Sequence, residues 1–146
     1  MFKTINSRNF TNMTTSVVNY LGNLRTSCTH IASGNTIMTD APIDNHGKGE
    51  VFSPTDLVAT SLASCMLTIM GIYCQQHEIS FEHAKARVTK IMGTNPRRIE
   101  KIIVLISLEG NKWDEKTKAK VIQAGKLCPV AKTLEGNVEL EFIFEE

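Results

Sequence analysis

The sequence predicts a mixed α+β fold, and three of its features support that class. Short runs of β-forming residues broken by glycine fill residues 14–39. A long stretch without charged side chains follows at residues 57–74. Two alternating runs, a second helical segment and a last alternating run complete the chain. We therefore expect the order βββ-α-ββ-α-β, with a long buried central helix.

The first strands are predicted from β-formers such as Val17 and Ile37 and from the breaks at Gly22 and Ser33-Gly34-Asn35. These signals indicate a three-stranded meander. Residues 40–50, DAPIDNHGKGE, combine proline, glycine and asparagine with charged side chains. That composition is typical of a loop, so residues 40–50 are predicted to connect the meander to the central helix.

The central helix has a clear predicted start at Ser53-Pro54-Thr55-Asp56. Serine is a preferred N-cap, proline suits the first helical position, and an acidic side chain at the third resembles a capping box. The helix is expected to run to about His77. Its uncharged stretch has almost the length of a membrane span, but hydroxyl side chains interrupt it, and we interpret it as a helix buried within a soluble protein.

The remaining elements follow from alternation and capping. Residues 82–91 and 99–108 are predicted strands joined by a hairpin turn. Asp114 is positioned to cap a second helix, which Pro129 interrupts. After a short helical turn, residues 138–146 alternate apolar with mainly polar positions, which indicates a terminal strand with one buried face.

Length and charge limit the possible classes of protein. A chain of 146 residues with 42% hydrophobic content is the size of one domain. We expect a flexible arm at residues 1–13 and a single domain at residues 14–146. The net charge of +1 predicts no nucleic-acid partner, and the N-terminal residues lack a secretory signal, which predicts a cytoplasmic protein.

The four cysteines, Cys28, Cys65, Cys74 and Cys128, are widely spaced and contain no CxxC pair. That spacing predicts no structural metal site. In a reducing cytoplasm, any disulfide would be transient and catalytic rather than structural. Cys74 lies nine residues after Cys65, on the opposite helix face, and it is predicted, like Cys28, to be a packing thiol.

Two cysteines are candidates for chemistry. Cys65 lies too deep in the central helix for the helix dipole to activate it, so it is either a packing thiol or a nucleophile that needs an external cation. Cys128 precedes Pro129 at a helix start, where backbone N–H groups favour a thiolate. Taken singly, each is also compatible with a role in packing alone.

The two cysteine motifs together resemble those of a known family. FSPTDLVATSLASC, residues 52–65, is followed 63 residues after its cysteine by CPVAKTL. This pair, in this order, resembles the OsmC/Ohr family of osmotically induced and organic hydroperoxide resistance proteins, in its OsmC-like branch. The resemblance covers about residues 14–146 and implies an OsmC-like fold that forms an intertwined homodimer.

The resemblance implies a thiol-dependent peroxidase that reduces organic hydroperoxides. Cys65 would be the peroxidatic residue, oxidised to a sulfenic acid, and Cys128 the resolving residue that condenses with it to a disulfide. An external dithiol, for example of the lipoyl type, would reduce the bridge. The family's chemistry implies no metal and no organic cofactor.

Arg25 is the cation that the resemblance implies for activating the Cys65 thiolate. In the hydroperoxide-resistance members, a glutamate directly after the helix-start proline orients the arginine. Here Thr55 stands at that position. Glu50 or Asp56 is therefore the candidate carboxylate, although Asp56 is also placed to cap the helix.

The resemblance also gives a reason for the uncharged helix. In the family's dimers the two central helices lie against one another, and a helix covered on every side needs no charged face. The alternative interpretation is a non-catalytic OsmC-like protein that binds a small ligand or senses redox state. A structural protein without a small-molecule site would explain the helix but not the two cysteine motifs.

Overall fold

The computed structural model describes residues 13–145. Their elements confirm the predicted α+β order, with α2 and a short α3 where one broken helix was expected. A single 3-10 turn spans Ile43–Asn45. In chain order the elements are β1 (Ser16–Gly22), β2 (Arg25–His30), β3 (Thr36–Asp40), α1 (Pro54–Gln76), β4 (Lys85–Thr94), β5 (Arg97–Ser107), α2 (Glu115–Lys126), α3 (Pro129–Leu134) and β6 (Glu139–Glu145).

The chain divides into two compact units, Met1–Pro54 (unit 1) and Thr55–Glu146 (unit 2). Unit 1 contains the three-stranded meander and its following loop, and unit 2 contains nearly all of α1 and everything after it. The expected single domain over residues 14–146 stays a prediction. The expected arm at residues 1–13 lies, except for Met13, outside the described residues.

Unit 1 is the antiparallel sheet β1-β2-β3. The turn between β1 and β2 places Asn23 and Leu24 at φ 52° and 63°, the left-handed conformation that tight hairpin turns require. The Ala41 N–H donates to the Leu24 carbonyl at 3.0 Å. The β2–β3 register sets Arg25 directly opposite Asp40, so two charged side chains meet at one end of this sheet.

Unit 2 contains the sheet β4-β5-β6. Strands β4 and β5 form an antiparallel hairpin, whereas β5 and β6 pair in parallel. A parallel pair needs a crossover connection, and α2 and α3 provide it. The central strand β5 is therefore hydrogen-bonded on both edges. Its apolar run IIVLI has one face fully buried and the other partly buried.

The core of unit 2 lies between one face of α1 and the sheet. The central strand contributes the fully buried Ile102, Val104 and Ile106. Helix α1 contributes residues at helical spacing, Ala59, Leu62, Ala63, Met66, Met70 and Cys74. Full burial of a side chain of the size of Leu or Met stabilises the fold by about 1.5–3 kcal/mol, so this face holds α1 on the sheet.

The other face of α1 is uncharged but exposed within the single chain. Val58 and Ile72 are exposed large hydrophobic residues, with Ser61, Ser64 and Thr68 along the same side. By length and composition α1 would suffice to cross a membrane, and core helices of soluble proteins pass the same test. The buried face of α1 is part of the core of unit 2. The prediction of a helix covered on every side is therefore not met within one chain.

A glycine allows α2 to approach α1 closely. A Cβ atom placed on Gly125 would lie 2.5 Å from Met70 Cε, 2.9 Å from Met70 Cγ and 3.4 Å from the Met66 carbonyl oxygen. Gly125 and Met70 are both buried. Only a residue without a side chain fits this contact, so the separation of the two helices depends on Gly125.

We expect Gly125→Ala to lower the free energy of unfolding relative to Gly71→Ala by about 1–3 kcal/mol, because it overpacks the helix contact. Both glycines lie inside helices, so the gain in helix propensity cancels in the comparison. A Cβ at Gly71 would meet only the Phe81 ring, at an ordinary 3.7 Å. Urea unfolding measures both variants, and equal stabilities would contradict the contact.

Candidate functional site

Cys65 lies in the middle of α1, at the edge of its buried face. Its neighbour Met66 is fully buried, whereas Cys65 itself is only partly buried and packs against the core of unit 2. This position follows from the helical period, which turns Cys74 to the core side, where burial raises the pKa of its thiol. Cys74 therefore has the packing role that was predicted for it.

Cys128 joins α2 to α3 and is the N-cap of α3. Its backbone is extended, Pro129 occupies the first turn, and its Sγ accepts a hydrogen bond from the Ala131 N–H at 3.4 Å. The helix start that was predicted from Cys-Pro is confirmed. Unlike a surface cap, this cysteine is fully buried.

The net electrostatic effect on Cys128 is opposite to the one that the sequence predicts. Burial raises the pKa of its thiol, the neighbouring Cys65 side chain raises it further, and only the Ala131 and Val130 N–H groups lower it. The expected N-terminal effect is therefore present but is outweighed by desolvation. Burial and the neighbouring Cys65 thus favour the thiol form of Cys128 over the thiolate.

The structure brings the Cys65 and Cys128 side chains together. Cys65 packs against the buried cluster that contains Cys128, its side chain is close enough to raise the pKa of the Cys128 thiol, and both residues are free cysteines. We call these two residues the thiol pair. Their sequence separation is 63 residues, so the contact is made by tertiary packing.

The contact between α1 and α2 explains how the pair forms. Gly125 rests against the Met66 carbonyl, one residue beyond Cys65. The Cys128 N–H then donates to the Gly125 carbonyl at 3.2 Å, which closes the end of α2 and turns the chain back toward α1. Gly125 was not among the predicted site residues, because a helical glycine indicates close packing without identifying its neighbour.

Arg25, in unit 1, pairs with two carboxylates. Its Nε donates to Asp40 Oδ1 at 2.6 Å and its Nη2 to Asp40 Oδ2 at 2.8 Å, and Nη2 also donates to Glu50. Of the two predicted carboxylates, Glu50 contacts Arg25. Asp40 was missed, because loop composition alone does not reveal the strand register that places it opposite Arg25. We call Arg25, Asp40 and Glu50 the arginine cluster.

Asp56, the other predicted carboxylate, contacts Lys90 in unit 2. The Lys90 ammonium group donates to Asp56 Oδ1 at 2.7 Å and to Thr55 Oγ1 at 2.8 Å. Lys90 lies in β4 with its side chain largely buried, and it ties the first turn of α1 to the sheet. The only sequence signal for this contact was the alternating pattern of β4, which places Lys90 on the apolar face.

Among residues 13–145, no three His, Cys, Asp or Glu side chains are placed to hold a metal ion.

Comparison with known proteins identifies the family. The family model described as OsmC-like protein matches residues 47–142, which contain both members of the thiol pair. The chain belongs to the OsmC-like family. No curated protein sequence matches it significantly.

Solved structures of the family share the fold. A Psychrobacter arcticus 273-4 protein, provisionally named an osmotic stress induced and detoxification response protein, is 47% identical, with 94% of this chain and 99% of that chain covered and a TM-score of 0.86. The organic hydroperoxide resistance protein OsmC of Legionella pneumophila is 14% identical over 92% and 98%, with a TM-score of 0.72. OhrB of Bacillus subtilis is 16% identical over 91% and 99%, with a TM-score of 0.63. The last two likenesses concern the fold alone.

We expect the carboxyl group of Asp40 to titrate below its ordinary pKa of about 3.9 and to titrate higher in Arg25→Ala. The Arg25 guanidinium is the largest influence holding the pKa of Asp40 down, and burial opposes it, so without the arginine only the Glu50 and Val51 N–H groups counter the burial. Carboxyl-carbon NMR measures both midpoints. The stability from this ion pair is complete above the unfolded-state pKa and is lost as the pH falls through the lower folded value. Identical midpoints in the two proteins would contradict the pairing.

Proposed function

We propose that this OsmC-like protein is a cysteine-based peroxidase that reduces organic hydroperoxides to alcohols. The Cys65 thiolate attacks the terminal oxygen of the hydroperoxide, the O–O bond breaks, and the alkoxide leaves with a proton as the alcohol. Cys65 is thereby oxidised to a sulfenic acid. The Cys128 sulfur then displaces the sulfenic oxygen, which leaves with the Cys128 proton as water, and a disulfide remains.

The observation that carries this proposal is the contact within the thiol pair. A sulfenic acid at Cys65 would form beside a second sulfur, so it could be trapped as a disulfide before further oxidation. The raised thiol pKa of the buried Cys128 suits the resolving role, because it makes Cys128 the weaker candidate for the first attack on the peroxide. Two packing thiols would need no such contact.

Arg25 is proposed to supply the positive charge that activates Cys65. A guanidinium is always protonated and offers several donors, so it can stabilise a thiolate and bind a peroxide oxygen. The two carboxylates of the arginine cluster hold that guanidinium within unit 1. This role is the one that the family resemblance implies for Arg25.

The family resemblance also leads us to propose a reductant, a cellular compartment and a homodimer. An external dithiol, for example of the lipoyl type, would reduce the bridge by two thiol–disulfide exchanges and leave as its own disulfide. The cycle would operate in the cytoplasm, where such dithiols stay reduced. A homodimer would cover the exposed uncharged face of α1, including Val58 and Ile72.

We expect Cys65→Ser to abolish dithiol-dependent turnover of cumene hydroperoxide, because the hydroxyl cannot form a sulfenic acid. Cys128→Ser should react with peroxide to form the Cys65 sulfenic acid and then lose activity, because further equivalents of peroxide overoxidise Cys65 to the sulfinic and sulfonic acids. Cys28→Ser, which changes a thiol of unit 1, serves as the control and should retain wild-type turnover. Steady-state rates and peptide mass spectra measure all three variants.

Two outcomes would contradict the proposal. Full turnover by Cys65→Ser would exclude Cys65 as the peroxidatic residue. An unreacted Cys65 in the wild-type protein after exposure to excess hydroperoxide would instead favour a binding protein on the same fold.

A further inference from the structure

We propose that Asp40 is the positioning residue for Arg25 and that Glu50 is an accessory partner. This inference rests on the proposed function, because it concerns how the activating guanidinium is held. The sequence pointed to Glu50 or Asp56 for that role. The geometry points to a carboxylate that lies directly across the sheet.

Strand pairing by itself places Asp40 opposite Arg25. Asp40 is the last residue of β3 and the direct cross-strand partner of Arg25 in the β2–β3 register. Its neighbour Ala41 donates its N–H to the carbonyl of Leu24, the residue before Arg25. The two strands are therefore tied together by backbone hydrogen bonds at the position where the side chains pair.

The Arg25 and Asp40 side chains meet in a two-point contact. Nε and Nη2 of the guanidinium donate to different oxygens of one carboxylate, at 2.6 and 2.8 Å. Two parallel hydrogen bonds fix the plane of the guanidinium as well as its position. Asp40 is 2% exposed, so water competes little for these bonds. A single bond to Glu50 would leave the plane free to rotate.

Asp40 also holds the segment that carries Glu50. Its Oδ2 accepts the backbone N–H of Glu50 at 3.1 Å, and the Val51 N–H also donates to its carboxylate. The Glu50 side chain itself is 58% exposed. The contact of the Glu50 side chain with Arg25 thus starts from a backbone position that Asp40 helps to hold, whereas Asp40 is also held opposite Arg25 by the strand pairing.

These contacts use one edge of the guanidinium. The Nε and Nη2 groups donate to Asp40, and Nη2 also donates to Glu50. The Nη1 nitrogen makes no hydrogen bond with any residue of the described range 13–145. Its two N–H groups are directed by the Asp40 contact and are suited to a single anionic or peroxidic oxygen or to a thiolate sulfur.

The test compares Asp40→Asn with Glu50→Gln, with Asp44→Asn as a control that removes a carboxylate from the same loop. Asp40→Asn should lower kcat/KM for cumene hydroperoxide by about 100-fold, because a misplaced catalytic cation costs that much. Glu50→Gln should lower it by only about threefold, the value of one exposed charged contact. Asp44→Asn should match the wild type. The pH dependence of Cys65 alkylation by iodoacetamide should move to higher pH in Asp40→Asn and little in Glu50→Gln.

A second readout does not depend on peroxidase activity. The Arg25 Nε–H should give a slowly exchanging NMR signal in the wild type and in Glu50→Gln, and should lose it in Asp40→Asn. A rapidly exchanging Nε–H in the folded wild-type protein would overturn the inference, even if Asp40→Asn does not fold. Equal effects of Asp40→Asn and Glu50→Gln on both readouts would also overturn it.

The Arg25→Ala variant distinguishes failure of the proposed function from failure of the positioning role. Unchanged turnover and unchanged Cys65 alkylation in Arg25→Ala would remove Arg25 from the reaction, while the Nε–H signal in the wild type would still report its anchoring by Asp40. Reduced turnover in Arg25→Ala together with wild-type turnover in Asp40→Asn would refute the positioning role alone.

Discussion

The contact between α1 and α2 at Gly125 is the constraint on which the candidate chemistry depends. The missing side chain lets the end of α2 rest against Met66 and Met70, and the chain then turns at Cys128 beside Cys65. A larger residue at this position would force the Met70 side chain or α2 itself to move. Packing density, rather than any local sequence motif, therefore determines whether the two cysteines can react with each other.

The burial that follows from this contact affects the two thiols differently. Cys128 is fully buried, and its desolvation outweighs the N–H groups of α3, which would otherwise favour a thiolate. Cys65 lies at the edge of the buried face and is partly accessible. Cys65 is thus the more accessible of the two sulfurs, which is the difference that the proposed peroxidatic and resolving roles require.

Local signals predicted the elements well. Pro54 begins α1, Asp114 caps α2 by accepting from the Thr117 N–H, and Cys128 caps α3, all as the capping preferences indicate. The parallel pairing of β5 and β6 was not predicted, because alternation shows which face of a strand is buried but not which strand lies beside it.

The parts of the candidate site that were missed all depend on contacts between distant residues. Asp40 looked like one more loop carboxylate until the register set it opposite Arg25. Lys90 looked like an ordinary strand lysine, although it reaches the first turn of α1. The direction of the pKa shift at Cys128 was predicted wrongly, because a sequence shows the helix start but not how deeply it is buried.

The central claim is that Cys65 and Cys128 form one redox pair. Intact mass after one equivalent of cumene hydroperoxide, followed by a peptide map, tests it most directly. The account predicts the loss of two hydrogen atoms from the protein and a single bridge between the peptides that contain Cys65 and Cys128. A gain of oxygen at Cys65 with Cys128 still a free thiol, or a bridge to Cys28 or Cys74, would contradict it.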